Sequence, residues 1–584
     1  MDTFASGRWV DEQLGRLDIE QKVGQLMVFG MCGPVITPDV VELISRYHLG
    51  GLRISQGFRI INLFNDVKPG QDPEEWTLRS LHPPGGCNRD FSGLRAPTRC
   101  TPREYAAVLN QLRQLALDRP GAVPLHFTID QEGSGSDDLL FGTRLLPHPM
   151  GLAATGDPEM AYRAARTIGS TARALGINML HSPVLDVNTN PLNPEVGTRA
   201  YGDDPDTVTR FARASLRGFS ETGIIATGKH FPGRGESQAD AHWGLPVVDL
   251  PREELERVHV SPYRELIADG LPAVMMAHCR YPALSDSPDP ASCDPQIVRT
   301  YLREELGFTG VITTDNMMMG GLLQRYELTE AVLRTLQAGC DLVLLRDESP
   351  IRWRILERIV AAVRSGEYPE AMLDAAVERV LRMRHRMGLA ENGGLVDPDR
   401  ADRFDDPAVV AAAADCAAAS TLLVRDRAGA LPVAPDARVL LVEQIFPTQA
   451  RANDSYTRPG LLWEEMCAIG SAVGSVEIEN VPTAQDGERV RRRLAEDDYD
   501  VIVTTNYYYH KAASANTPLV REMLATGKPV IVVTNTPYAF GVPDEVPTAI
   551  TSFNPGGREH LRVVAEAIYG RRELTARSPL TGGP

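Results

Sequence analysis

Short apolar runs recur between residues 25 and 345, several of them too short for independent helices and ending on a polar residue, as buried parallel strands do. They are QLMVFG (25–30), GGLRIS (50–55), PLHFTID (124–130), INMLHSPVLDV (177–187), IIATGKHF (224–231), PAVMMAH (272–278), GVITTD (310–315) and CDLVLL (340–345). Amphipathic stretches with helical spacing lie between them, among them PREYAAVLNQLRQLALD (102–118) and DPEMAYRAARTIGSTARALG (157–176). Eight strands alternating with helices predict an α/β fold closed as a (β/α)8 TIM-type barrel. A doubly wound open sheet alternates in the same way, but the count of eight favours closure. A helix predicted over 374–389 would end this unit.

The stretch 390–407 is rich in Gly, Pro and Asp and reads as a linker. A second βα pattern follows: STLLVRD (420–426), RVLLVE (438–443), DVIVTTN (500–506), PVIVVTN (529–535) and TAITSF (548–553). The predicted layout is a barrel over 1–390, a linker over 391–415 and a smaller α/β domain over 416–584 with an extended tail. Residues 66–101 interrupt the barrel with an aperiodic insertion rich in Pro, Gly and Arg, and a loop of that length is functional or disordered.

Composition narrows the class without naming a chemistry. Among 584 residues, 60 Lys and Arg face 77 Asp and Glu, giving a net charge of −17 with 43% hydrophobic content, which is globular and acidic. The acidity and the lack of basic stripes argue against nucleic acid and against anionic membranes as partners. No run approaches the roughly 18 to 20 apolar residues of a membrane helix. The N-terminus lacks a basic segment leading into an apolar one, so the chain reads as cytoplasmic. Eight cysteines without a CxxC pair give neither zinc-site spacing nor a dense disulfide framework. Cys87 and Cys100 flank a loop and would pair only in an exported chain; reduced thiols are the expectation.

Candidate chemistry sits at the strand ends, where barrel enzymes carry it. One run delivers Asp130, followed by Gln131 and Glu132; others deliver Asp186, the pair Lys229 and His230, and Asp315. A single strand-end Asp more often caps the next helix, but four such ends converging favour a site. Past Lys229, Gly233 and Gly235 suggest a flexible loop, and Asp240 and His242 stand two residues apart. A carboxylate beside an imidazole makes a proton shuttle near neutral pH, against the plainer reading of a solvated loop histidine.

The segment KHFPGRGESQADAHWGLP (229–246) resembles the KHFPG-x-G…D-x-H…LP signature of glycoside hydrolase family 3, in its β-N-acetylglucosaminidase branch. IDQEG (129–133), SPVLDVNTNP (182–191), GTRAYGDDP (197–205), VMMAHCRYPALS (274–285) and LREELGFTGVITTDNMMMGGL (302–322) continue the resemblance in order. It spans 15–390, and more weakly 405–570 is similar to the α/β sandwich that follows the barrel in longer members. The resemblance implies an exo-acting retaining β-N-acetylglucosaminidase working through a covalent glycosyl-aspartate intermediate. It assigns Asp315 as nucleophile, His242 as acid/base and Asp240 as its dyad partner. Asp130, Arg199, Lys229 and His230 match residues that hold the terminal sugar, and Asp186 lines the same pocket. Lys229 is expected near Asp315, favouring its charge. Three positions depart from the pattern: Ala241 replaces a Ser or Thr, Asn316 an Asp, and SGSDDLLFG (134–142) follows IDQEG in place of Gly-Gly-Arg-Val.

The implied setting is cell-wall recycling or chitin-fragment breakdown, with a small carbohydrate as the partner, no metal or organic cofactor, and a monomer or dimer. A phosphorylase on the same scaffold, a β-glucosidase and a non-catalytic sugar-binding protein are the alternatives. Tyr507, Tyr508 and Tyr509 are read either as a stacking platform reaching the sugar or as packing between domains.

Overall fold

The computed structural model describes residues 3–56, 100–133, 136–242, 244–346, 348, 350–446, 448–449, 455–496, 498–508 and 516–582. Of the 66–101 insertion only Cys100 and Thr101 fall among them; Cys87 and Tyr509 lie outside.

Eight parallel strands form the first sheet: β1 (Met27–Cys32), β2 (Gly51–Ser55), β3 (His126–Ile129), β4 (Met179–Leu180), β5 (Ile225–Phe231), β6 (Ala273–Met276), β7 (Val311–Thr314) and β8 (Val343–Leu345). They pair in the order β7-β6-β5-β4-β3-β2-β1-β8, and a parallel bridge between Thr313 and Leu342 joins β7 to β8. The sheet thus closes on itself as the (β/α)8 barrel that the eight apolar runs predict. Asp-Pro pairs start several outer helices: Asp157 caps Pro158–Leu175, Asp204 caps Pro205–Glu221 and Asp406 caps Pro407–Ser420. In each, the carboxylate accepts an orphan N–H while proline fills a first-turn position that needs none. The amino-terminal mouth is plugged by the buried Arg384, whose Nη2 donates to the carbonyls of Gly50 at 2.9 Å and Gln25 at 3.2 Å.

The second sheet holds β9 (Leu422–Asp426), β10 (Arg438–Gln444), β11 (Ala472–Ile478), β12 (Val501–Thr505), β13 (Val530–Thr534) and β14 (Thr548–Thr551), in the order β11-β10-β12-β13-β14-β9. All pairs are parallel except β9 with β14. The apolar pattern predicts five of the six; β11 is a half-exposed edge strand whose alternation is too weak to read. The stretch 391–415 holds a 3-10 turn at Pro398–Arg400 and the start of helix Pro407–Ser420. It is tied to the barrel by Asn110 Nδ2 on the Val396 carbonyl at 2.7 Å. The two sheets meet through Asn554 Nδ2 on the Leu146 carbonyl at 3.0 Å and an Arg144–Glu559 ion pair. Among the described residues, no helix is long and apolar enough to cross a membrane.

Glu443, on β10, is buried opposite Glu477 of β11. Burial and that second carboxylate push its carboxyl up to about 8. The unfolded side chain ionises near its ordinary value, so the unfolded state gains an ionisation that the fold denies as pH rises from about 4.5 to about 8. Stability from this group is therefore full below that window and lost through it. Glu443→Gln should raise the melting temperature by an amount that grows between about pH 5 and about pH 8. A gain independent of pH, or a loss, would show that the buried carboxyl is charged.

Candidate active site

Asp130, directly after β3, anchors one side of the carboxyl-terminal mouth. Its carboxylate lies 2.5 Å from Arg53 Nη2, 3.0 Å from Lys229 Nζ and 3.3 Å from His181 Nδ1. Burial would raise this carboxyl, but the Lys229 and Arg53 charges outweigh it and hold it well below the usual carboxylate range. Asp138 supports the same residue, accepting the Asp130 backbone N–H at 2.7 Å and pairing with Arg53. The unusual segment after IDQEG therefore folds back as a brace, bridged between Gln131 and Asp137.

Glu132 receives Arg199 through two bonds of 2.7 and 3.1 Å and also pairs with Lys229. The Lys229 ammonium is thus claimed by Asp130 and Glu132, which corrects its expected place beside Asp315. Among the described residues, Asp315 pairs with Arg234 Nη1 at 3.4 Å, and the His230 ring stands 3.7 Å away through Nε2. Asp315 follows β7, and its Oδ1 accepts the Asn316 N–H at 2.7 Å.

Arg234 Nη2 donates to His230 Nε2 at 2.8 Å, so the proton of the neutral ring sits on Nδ1 and bonds Asp186 Oδ2 at 2.7 Å. Burial, reinforced by Arg234 and Arg199, keeps the His230 ring well below its ordinary pKa. Asp186 also accepts the Arg234 backbone N–H at 2.7 Å, and burial pushes its carboxyl up to about 6 against the pull of Arg234.

The loop after β5 carries the last pair. Its glycines serve close geometry rather than the flexibility expected of them: Gly233 has φ +118°, and a Cβ on Gly235 would stand 1.7 Å from the Val187 carbonyl oxygen. Asp240 Oδ1 accepts both the backbone N–H of His242 at 2.8 Å and its Nδ1 at 2.6 Å. Glu195 brings a second carboxylate to the same nitrogen, at 3.2 Å. The His242 side chain keeps 33% exposure while Asp240 keeps 4%. Gly320 and Gly321, shortly after Asp315, donate to the carbonyls of His242 and Ala241 at 3.0 and 2.9 Å. Loop and β7 rim are thereby locked together.

Asp130, Asp186, Arg199, Lys229, His230, Asp240, His242 and Asp315 all gather at this mouth, and Arg53, Glu195, Arg234 and Asp138 join them unforeseen. Of these, only Arg234 sat inside the singled-out motif. Glu195, Asp240 and His242 place ligand-type atoms within 4.8 Å of one another, but the Arg234 guanidinium, 2.9 Å from Glu195, makes this a charge network rather than a cation seat. Tyr507 is buried against Phe446 inside the second sheet, at a ring separation of 5.7 Å. Tyr508 packs between domains: its hydroxyl donates to the Pro194 carbonyl at 2.6 Å.

Glycoside cleavage with retention uses an attacking carboxylate and a proton-exchanging group, and the barrel mouth gathers groups of both kinds. The chain belongs to glycosyl hydrolase family 3: residues 88–383 match the model of the glycosyl hydrolase family 3 N terminal domain. It is 31% identical over 439 residues to a beta-N-acetylglucosaminidase/beta-glucosidase of Cellulomonas fimi, covering 70% of this chain and 75% of that protein. It is 35% identical over 273 residues to the beta-hexosaminidase LpqI of Mycobacterium tuberculosis, covering 45% of this chain and 69% of the relative. Among solved structures it is similar to a family 3 beta-N-acetylglucosaminidase from Paenibacillus sp. str. FPU-7, with a TM-score of 0.79, 28% identity, and 97% and 99% of the two chains covered.

Proposed function

We infer that the chain is an exo-acting, retaining β-N-acetylglucosaminidase that removes terminal β-linked N-acetylglucosamine. The observation that carries this reading is the 2.6 Å contact between Asp240 and His242 Nδ1 on a loop bonded to the segment that follows Asp315. Retention needs a carboxylate to attack the anomeric carbon and a proton donor for the leaving oxygen. Asp315 takes the first role, oriented by the Asn316 N–H and flanked by Arg234. His242 takes the second: Nδ1 is engaged by Asp240, so proton exchange with the glycosidic oxygen falls to Nε2. In the second half-reaction the same nitrogen removes a proton from water. Asp130, Lys229, Arg199 and His230 form the wall that meets sugar hydroxyls, with Asp186 behind His230 holding its ring; a buried network of this kind selects against analogues that leave its groups unpaired.

Use of phosphate instead of water would bring an anion to a ring already flanked by Asp240 and Glu195, which disfavours it. Cys100, Cys279, Cys293, Cys340, Cys416 and Cys467 are thiols without a disulfide, which supports a reducing, cytoplasmic setting. The test is turnover of 4-nitrophenyl N-acetyl-β-D-glucosaminide and the matching glucoside, each with and without phosphate. Preference for the acetamido sugar, with free sugar as the product in both buffers, is expected. Sugar 1-phosphate as main product, or a preference for glucoside, would overturn the reading.

A further inference from the structure

Glu195 was not singled out by any motif, yet its side chain is 2% exposed and touches three parts of the site at once. Oε1 stands 2.9 Å from Arg234 Nη2 and 3.2 Å from His242 Nδ1, and Oε2 accepts the Ala241 N–H at 3.4 Å. Its backbone is held firmly. Asn193 Oδ1 accepts the N–H groups of Glu195 and Val196, each at 2.9 Å, while Asn193 Nδ2 donates to the carbonyls of Arg234 and Gly235 at 2.8 and 3.0 Å. From the second sheet, the Tyr508 hydroxyl holds the preceding carbonyl, that of Pro194.

We propose that Glu195 is a positioning residue of the acid/base loop, a second carboxylate that fixes His242 to the barrel and links it through Arg234 to Asp315. The proposal rests on the reading of His242 as acid/base. Asp240 cannot do this work, because it rides on the same loop as the histidine and moves with it. Glu195 belongs to a different segment, so the hydrogen bond it accepts from the Ala241 N–H, with its charge 3.2 Å from His242 Nδ1, ties that loop to a fixed point. The charges also connect. Around the His242 ring, the described charged groups are Asp240 on its own loop and Glu195 from the 193–196 segment, with Arg234 behind Glu195 and Asp315 beyond Arg234. Burial would raise the Glu195 carboxyl, but Arg234 and His242 outweigh it and hold it well below the usual carboxylate range, so it is anionic throughout the working range. In free enzyme Arg234 is shared between Glu195 and Asp315. Once Asp315 carries the sugar as a neutral ester, Arg234 has one carboxylate fewer to face, and its field at Glu195 and His242 becomes more positive. A more positive field favours loss of the imidazole proton, which is the change from acid to base that the second half-reaction requires.

The test is a pH profile and a leaving-group series on Glu195→Gln and Glu195→Asp in the full chain, with His242→Ala run alongside. Gln keeps the shape but removes the charge; Asp keeps the charge but draws it back from Ala241, His242 and Arg234 alike. In Glu195→Gln the basic limb of kcat/KM should move to lower pH by about one unit. In both variants, kcat/KM of aryl glycosides with poor leaving groups should fall by about tenfold or more while that of activated ones changes little. Glu195→Asp should keep the wild-type melting temperature, so it decides the matter if the Gln variant fails to fold. Equal losses across the leaving groups, or an unshifted basic limb with unchanged rates, would overturn the proposal. If His242→Ala itself shows no leaving-group dependence, the acid role fails instead; a split in His242→Ala without one in the Glu195 variants sinks this inference alone.

Discussion

Asp315→Ala should lower turnover of an aryl N-acetylglucosaminide by a factor of about 10,000 or more while leaving the fold intact. The carboxylate has no substitute within reach. Asp130 and Glu132 are both bound to Lys229, and Asp186 is spent on His230 and the Arg234 backbone. Folding should survive because Arg234 keeps its Glu195 partner at 2.9 Å when Asp315 is gone. Truncation also leaves a small space beside the Arg234 guanidinium and the His230 ring, so azide should restore part of the rate and yield a glycosyl azide of inverted configuration. Incubating the wild-type enzyme with a 5-fluoro sugar and digesting it should place the covalent label on the Asp315 peptide. A label elsewhere, or retention of more than about one-hundredth of the wild-type rate in Asp315→Ala, would remove Asp315 from the nucleophile role.

The barrel was legible because its strands are buried on both faces. Runs such as PLHFTID and GVITTD are apolar without alternation, and the Asp-Pro helix starts between them are chemically explicit. Even β4, reduced to Met179–Leu180, was foreshadowed by the long apolar run around it. The second sheet was legible except at its edge: β11 buries few of its side chains, so neither burial nor alternation marks it. The antiparallel direction of β9 was hidden for a different reason, since apolar pattern carries no information on strand sense.

At the mouth, local motifs conveyed which residues gather but not how their charges pair. Lys229 looked like a neighbour for Asp315 because both end strands. Two carboxylates on the β3 loop claim it, and the turn at Gly233 returns Arg234 to Asp315. Arg53 sits inside an apolar strand, where its type reads as an anomaly rather than as a counter-ion for Asp130 and Asp138. Glu195 lies between two ordinary residues and gains meaning only from Arg234 and His242, 39 and 47 positions away. Pairings across such separations depend on closure of the barrel, which no local window contains.

His242→Ala should separate substrates by their need for a proton. On an aryl glycoside with a good leaving group, the sugar–oxygen bond breaks with little assistance, so formation of the intermediate should remain near the wild-type rate. Natural sugar leaving groups, whose alkoxides are poor, should slow by about 100-fold to 10,000-fold, the range attached to general acid catalysis. Hydrolysis of the intermediate also loses its base, so activated substrates should show a burst of phenol followed by slow turnover, and azide should accelerate that second phase without needing deprotonation. Asp240→Asn should give the same pattern at smaller amplitude: the ring keeps its place through the Gly320 N–H on the His242 carbonyl and the nearby Glu195, but loses its 2.6 Å carboxylate. Rapid-quench measurement of the burst, with steady-state rates across a leaving-group series, reads both variants. A uniform loss with no burst in His242→Ala would mean that this histidine shapes the site without moving a proton.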